Sequence, residues 1–248
     1  MRRTVAAFVA ATLLTACGGP DTTTPQSKYE VEGDHAVGNP DAPITVVEYA
    51  SVVCGGCATW YNEVYPDFKK TYIDTGKVRF VFREFPTVPE NFAFAGFTIA
   101  NCADRKRFFD NISLQFKRQR AILTSENPRK AYEDLAKASG LSVAEYEACL
   151  QDEAWIDEYS AGITAAREQG VDSTPTFFIN GVKERVFLLE DFAEKFRPIL
   201  GDPAAGTEAG AGEAPENTHD RPVDDPEGTQ DLEEIAEDNA IQQESLKE

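Results

Sequence analysis

The tightest constraint in this chain of 248 residues is a pair of cysteines separated by two glycines, Cys54-Gly55-Gly56-Cys57, lying between segments of opposite periodicity. Upstream, Ile44-Thr45-Val46-Val47-Glu48-Tyr49-Ala50 is β-branched and apolar with few breaks, the pattern of a strand buried on both sheet faces. Downstream, the segment 58–71 sets Trp60, Tyr61, Val64 and Phe68 at helical intervals, with Tyr72 continuing them, and Val78-Arg79-Phe80-Val81-Phe82 reads as a second strand. The expected unit is βαβ in an α/β fold, its crossover helix opening at the cysteine pair.

That placement explains why chemistry would need these residues there. Thiol exchange is carried by the thiolate, and a free cysteine, with a pKa near ~8.5, is mostly protonated at neutral pH. A helix N-terminus supplies unpaired N–H groups and about half a positive charge, which favours the anion. Cys54 is therefore the candidate nucleophile. Cys57, one turn deeper, is the candidate resolving thiol, and Gly55 and Gly56 form the spacer that lets the ring close. Zinc sites use the same spacing, so the redox reading rests on the strand, turn and helix around the pair.

The first residues set the compartment. Arg2 and Arg3 precede an apolar stretch from Val5 to Ala16, too short to cross a bilayer and shaped like a secretory signal, 1–16. The run ends in Leu14-Thr15-Ala16-Cys17, which resembles the lipobox of bacterial lipoproteins. That likeness implies a lipid on Cys17, with 17–32 as a tether, and anchorage on the periplasmic side of the cell envelope; Gly18 in the next position would favour the outer membrane. An ordinary signal peptide with a nearby cysteine is the alternative. Five cysteines are an odd number for an oxidising compartment, and lipidation of Cys17 would leave an even four.

The region 33–200 is long enough for one well-buried core. From 201 to 248 the texture changes to Gly, Ala, Pro and acid, with fifteen Asp and Glu against Arg221 and Lys247. Such a segment buries too little apolar surface to order itself, so it is expected to be a disordered acidic tail, with a short helix possible at 232–246. The acidic balance argues against nucleic-acid binding. Only His35 and His219 exist, the first expected in a loop leading into the domain, which leaves no Cys/His diad. No cofactor or metal is implied, because phosphate-binding glycine loops and histidine clusters are absent from the sequence.

Between the second strand and Thr174, apolar residues recur at three- and four-residue intervals over 91–103, 106–118, 127–139, 143–150 and 154–169. This is a helical insertion at about 88–170. Cys102 and Cys149 fall on different helices within it. A structural disulfide is the expectation, two buried free thiols the alternative, and a zinc site shared by all four cysteines a third reading disfavoured by their distribution.

Two motifs together carry a family resemblance: Asp41-Ala42-Pro43-Ile44 through Glu48 to Cys57, and Thr174-Pro175-Thr176-Phe177-Phe178-Ile179-Asn180-Gly181. Over about 33–200 the chain resembles the DsbA family, periplasmic dithiol oxidases whose thioredoxin fold is interrupted by a helical insertion. The resemblance implies a cis Thr174-Pro175 bond facing the cysteine pair, with a trans turn proline as the alternative. It also implies that Glu48 lies beneath Cys57 and handles its proton, unless its side chain sits solvated at a sheet edge. Cysteine-containing exported proteins would be the substrates, a DsbB-like membrane protein the redox partner, and the protein a monomer. Strongly oxidising relatives carry a His between the cysteines; Gly55-Gly56 points to a milder oxidant. Thr174 before the proline is more like the reductases and isomerases of the wider superfamily. Three functions follow: an oxidase, a reductase or isomerase, and a non-catalytic adaptor or copper-delivery module, the last disfavoured because Met1 is the only methionine. The region before Asp34 looks too short for the dimerisation domain that isomerases use, which favours the oxidase.

Overall fold

The computed structural model describes residues 27–201. The expected signal segment, Cys17 and the acidic tail beyond Gly201 lie outside the described residues. A five-stranded sheet in the order β1-β3-β2-β4-β5 organises the domain. Its strands are β1 (His35–Val37), β2 (Ile44–Ala50), β3 (Val78–Glu84), β4 (Thr176–Ile179) and β5 (Val182–Glu184). β2 and β3 run parallel and every other pairing is antiparallel. With β2 central and buried along its whole length, the apolar run that marked it has both faces to fill.

The crossover between β2 and β3 is helical from Gly55 to Ile73. It comprises α1 (Gly55–Thr59), a wide π-type turn at Trp60–Val64, α2 (Tyr65–Phe68) and a second wide turn at Lys69–Ile73. Pro66 opens α2, where its missing N–H removes a hydrogen bond from the preceding turn. Trp60 is wholly buried at the centre of this layer, its ring 5.0 Å from Phe177 and stacked at 5.9 Å on Phe80. A buried aromatic of this kind contributes roughly 3–5 kcal/mol, judged by truncation.

The insertion comprises α3 (Glu90–Cys102), a 3₁₀ turn at Arg105–Arg107, α4 (Phe108–Leu123), α5 (Pro128–Ala138), α6 (Val143–Cys149) and α7 (Glu153–Glu168). Its own small core gathers Ile99, Ile122, Tyr132, Leu135 and Tyr146. Cys102, the last residue of α3, is disulfide-bonded to Cys149, the last of α6, with Cα atoms 6.4 Å apart.

The structure departs from the sequence expectations in four places, the first at the end of the expected tether, where Ser27 hydrogen-bonds Thr45 at 2.8 Å and buried Glu30 pairs with Arg79 at 3.1 Å. His35, expected in a loop, is buried on β1, stacked on Phe108 with ring centroids 3.5 Å apart and hydrogen-bonded to Asn101 at 2.7 Å. The second insertion helix begins and ends later than 106–118, because Asp104 caps the 3₁₀ turn that precedes it. A final helix, α8 (Leu189–Leu200), had no counterpart in the expectations; it seals the crossover layer with Phe192 and Phe196.

Candidate active site

Sheet register assembles the site. β2 delivers the chain to Ser51 at the sheet's end, and β4 begins at Thr176, paired with Tyr49 on β2. Thr174-Pro175 is therefore held just beyond the end of β2, beside the turn that carries the cysteines. The Thr174-Pro175 bond is cis. The Cys54 thiol donates to the Thr174 carbonyl at 3.3 Å, across 120 residues of sequence.

Cys54 is the N-cap of α1, and its sulfur accepts the Cys57 backbone N–H at 3.3 Å. The turn before it is tied by the Cys54 N–H donating to the Ser51 carbonyl at 3.0 Å. Gly55 opens to solvent, whereas a Cβ on Gly56 would stand 3.5 Å from the Pro175 ring and 3.8 Å from the Cys54 sulfur. Small residues thus keep the half-buried sulfur approachable between helix and proline loop.

The two thiols occupy opposite environments. Hydrogen bonding from Cys57 is the main influence that lowers Cys54 from an ordinary 9.0 to about 6, and the Thr174 side chain and the backbone N–H groups of Cys57 and Gly56 pull the same way against partial burial. Cys57 is fully buried; desolvation pushes its thiol well above 9.0, and its interactions with Cys54 and Glu48 add to the rise. At neutral pH the outer sulfur is an anion and the inner one a thiol.

Glu48 sits on the same β2 face as Val46 and Ala50, which pack in the crossover layer, while Val47 and Tyr49 face the opposite layer. Its side chain is therefore beneath α1 in the central strand, not at a sheet edge. Glu48 is completely buried, and neither carboxyl oxygen has a hydrogen bond of regular geometry. Burial drives its pKa well above 4.5; the Tyr61 hydroxyl pulls it back and Cys54 pushes it further up. Burial thus favours the protonated acid, close enough to Cys57 to raise that thiol's pKa as well.

Cys54, Cys57, Gly55, Gly56, Thr174, Pro175 and Glu48 thus converge. Cys102 and Cys149 lie apart from them in the insertion. Three contributors had not been singled out from the sequence. Ser51 accepts backbone N–H groups from Val53 at 3.4 Å and Thr87 at 3.3 Å; Tyr61 faces Glu48; and Gln119 of α4 donates to the carbonyls of Val52 and Cys54, each at 2.9 Å. The available signal for Gln119 was a polar side chain on the helix face shared by Ile112 and Phe116, where an apolar one would be expected.

Comparison with known proteins agrees with this geometry. A family model described as Thioredoxin matches residues 30–190. A Rickettsia prowazekii protein provisionally named a protein-disulfide oxidoreductase is 31% identical over 179 residues, 69% of this chain and 63% of that protein. The chain therefore spans a little under two thirds of that relative's length. Among solved structures, alpha-DsbA1 of Wolbachia pipientis is similar with a TM-score of 0.64 at 24% identity, covering 75% of this chain and all of that one. Oxidised BdbD of Bacillus subtilis gives a TM-score of 0.61 at 21% identity, covering 68% of this chain and 98% of its own. Both carry the same thioredoxin-like fold with its helical insertion.

Proposed function

Because this chain belongs to the thioredoxin family, in the DsbA-like form with a helical insertion, we propose that it is a thiol-disulfide oxidoreductase that oxidises dithiols in exported proteins. The observation that carries this reading is the contrast at the cysteine pair: an approachable sulfur stabilised as an anion, backed by a buried thiol and a buried acid.

In the oxidative direction, a substrate thiolate attacks the Cys54 sulfur of the Cys54–Cys57 disulfide. The S–S bond breaks, and Cys57 leaves with the electron pair and takes the proton of Glu48. A second substrate thiolate then attacks the substrate sulfur of the mixed disulfide and expels Cys54 as a thiolate. A thiol with a pKa near 6 is a good leaving group, which favours release of oxidised substrate. The substrate leaves with two electrons fewer, and the protein is reduced and must be reoxidised. A DsbB-like membrane oxidant is the proposed source of that step.

The Thr174 carbonyl beside the Cys54 sulfur, preceding a proline with no N–H, supports an edge on which an extended substrate segment lies against the site. The lipobox-like Leu14-Thr15-Ala16-Cys17 supports tethering on the periplasmic side of the envelope.

The test has two arms. Purified protein with glutathione disulfide should speed oxidation of a dithiol peptide, and no acceleration would end the thiol-exchange reading. In cells, Cys57→Ser protein should trap disulfide-bearing exported proteins on Cys54 while the wild-type pair is found oxidised; a pair found reduced would replace the oxidase with a reductase.

A further inference from the structure

The helical insertion reaches the turn that carries Cys54 through Gln119 of α4. α4 crosses the crossover helix with Ile112, Phe116 and Gln119, spaced as one face of a helix, while Gln115 donates to the Gly96 carbonyl of α3. Phe116 stacks on Tyr61 with ring centroids 4.4 Å apart, and the Asn62 amide donates to the Phe116 carbonyl at 3.4 Å, so the two helices are seated against each other beside the cysteines. One turn further along α4, the Gln119 amide nitrogen has two N–H groups and spends them on two backbone carbonyls of the active turn, Val52 and Cys54, both at 2.9 Å. The Cys54 carbonyl also accepts the Ala58 N–H at 3.1 Å, the first hydrogen bond of the helix.

We propose that Gln119 is a positioning residue for thiol exchange, holding the turn that aims Cys54 and offsetting the negative ends of two carbonyl dipoles within that turn. The physical reason is local. A carbonyl oxygen carries partial negative charge, and a donor placed on it reduces the repulsion a neighbouring thiolate feels. The same contact fixes the backbone between the end of β2 and the start of α1, where the Cys54 sulfur must meet both the Cys57 N–H and the Thr174 carbonyl. Without it the cap would loosen at its outer end. The insertion thereby acts on the chemistry of a motif 65 residues away in sequence.

The proposal rests on the thiol-exchange reading for its consequence, but its test separates the two. Gln119→Leu keeps the bulk and removes both donors; Gln119→Glu substitutes a carboxylate; Gln119→Lys restores donors. Thiolate absorbance should show Cys54 titrating near 6 in the wild type, about half a pH unit higher in Gln119→Leu, and higher still in Gln119→Glu. Half a unit is about threefold less thiolate at a fixed acidic pH. Gln119→Lys should titrate at or below the wild-type value. Unfolding of both redox forms supplies the second readout: Gln119→Leu should destabilise the reduced form more than the oxidised form, so the pair becomes less oxidising. Unchanged titration in Gln119→Leu and Gln119→Glu, or equal losses in both redox forms, would reduce Gln119 to a packing residue and overturn the proposal. If wild-type protein fails to oxidise the dithiol peptide, the exchange reading falls, while the titrations still decide the role of Gln119.

Discussion

The molecule holds two cysteine pairs of identical chemistry and opposite circumstance. Cys102 and Cys149 end two helices of the insertion and are joined, closing 47 residues of chain. Cys54 and Cys57 share one helix start, are free in this structure, and differ from each other more than either differs from an isolated cysteine, one thiol pulled down to about 6 and the other pushed well above 9.0. Reactivity therefore lies in the surroundings: backbone donors and an approachable edge in one place, a staple between helix ends in the other.

The sharpest way to break this contrast is to remove the outer sulfur. Cys54→Ser should abolish dithiol exchange entirely, whereas Cys57→Ser should still form mixed disulfides and stop there; residual turnover by Cys54→Ser in a peptide-oxidation assay would transfer the role elsewhere. Next comes the buried acid. Glu48→Gln should slow formation of the mixed disulfide on oxidised protein, the step in which Cys57 takes its proton, by about a hundredfold, the lower end of what a positioned proton carrier contributes. The same change should stabilise the fold, and the sign follows from linkage. The folded protein holds the Glu48 proton to higher pH than the unfolded chain does, so the wild type loses stability as pH rises above 4.5, and its deficit against Glu48→Gln should widen with pH in denaturant titrations. A deficit independent of pH would mean that Glu48 is not the titrating group.

The pH dependence of the rate is the third test. For attack by reduced Cys54, each unit below about 6 should cost about tenfold, because only the thiolate reacts. Linkage again sets a sign: the depressed Cys54 value stabilises reduced protein increasingly between about 6 and 9, an increment absent from the oxidised form, whose sulfurs do not titrate. Stopped-flow rates that stay flat through pH 6 would refute the anion. The smallest effect on chemistry belongs to the other pair. Replacing both Cys102 and Cys149 by Ser should cost about 4 kcal/mol of stability in the chain-entropy account of a loop this long, yet leave the rate within about twofold. A large loss of rate in folded double-variant protein would make the insertion's staple part of the active site.

Much of the fold was legible because its signals are local. The β2 run, the glycine spacer, the helical intervals of Trp60, Tyr61 and Phe68, and the punctuation between insertion helices all depend on neighbours a few residues away. The cis Thr174-Pro175 bond came from the resemblance, and the structure has it. β1 and β5, three residues each, were too short to show a period, and His35 on β1 was misplaced for that reason. Phe192 and Phe196, one turn apart, could have marked α8.

By itself the sequence determined which residues could do chemistry, since a cysteine at the junction of a buried strand and a helix is specified by periodicity on either side. Tertiary structure alone decided what those residues meet. Thr174 reaches Cys54 because β4 pairs with β2 in one register, and Gln119 reaches the same turn because α4 seats one face on the crossover helix. Contacts that span 65 to 120 residues leave no pattern in the segments that make them, because they depend on how separately folded elements pack.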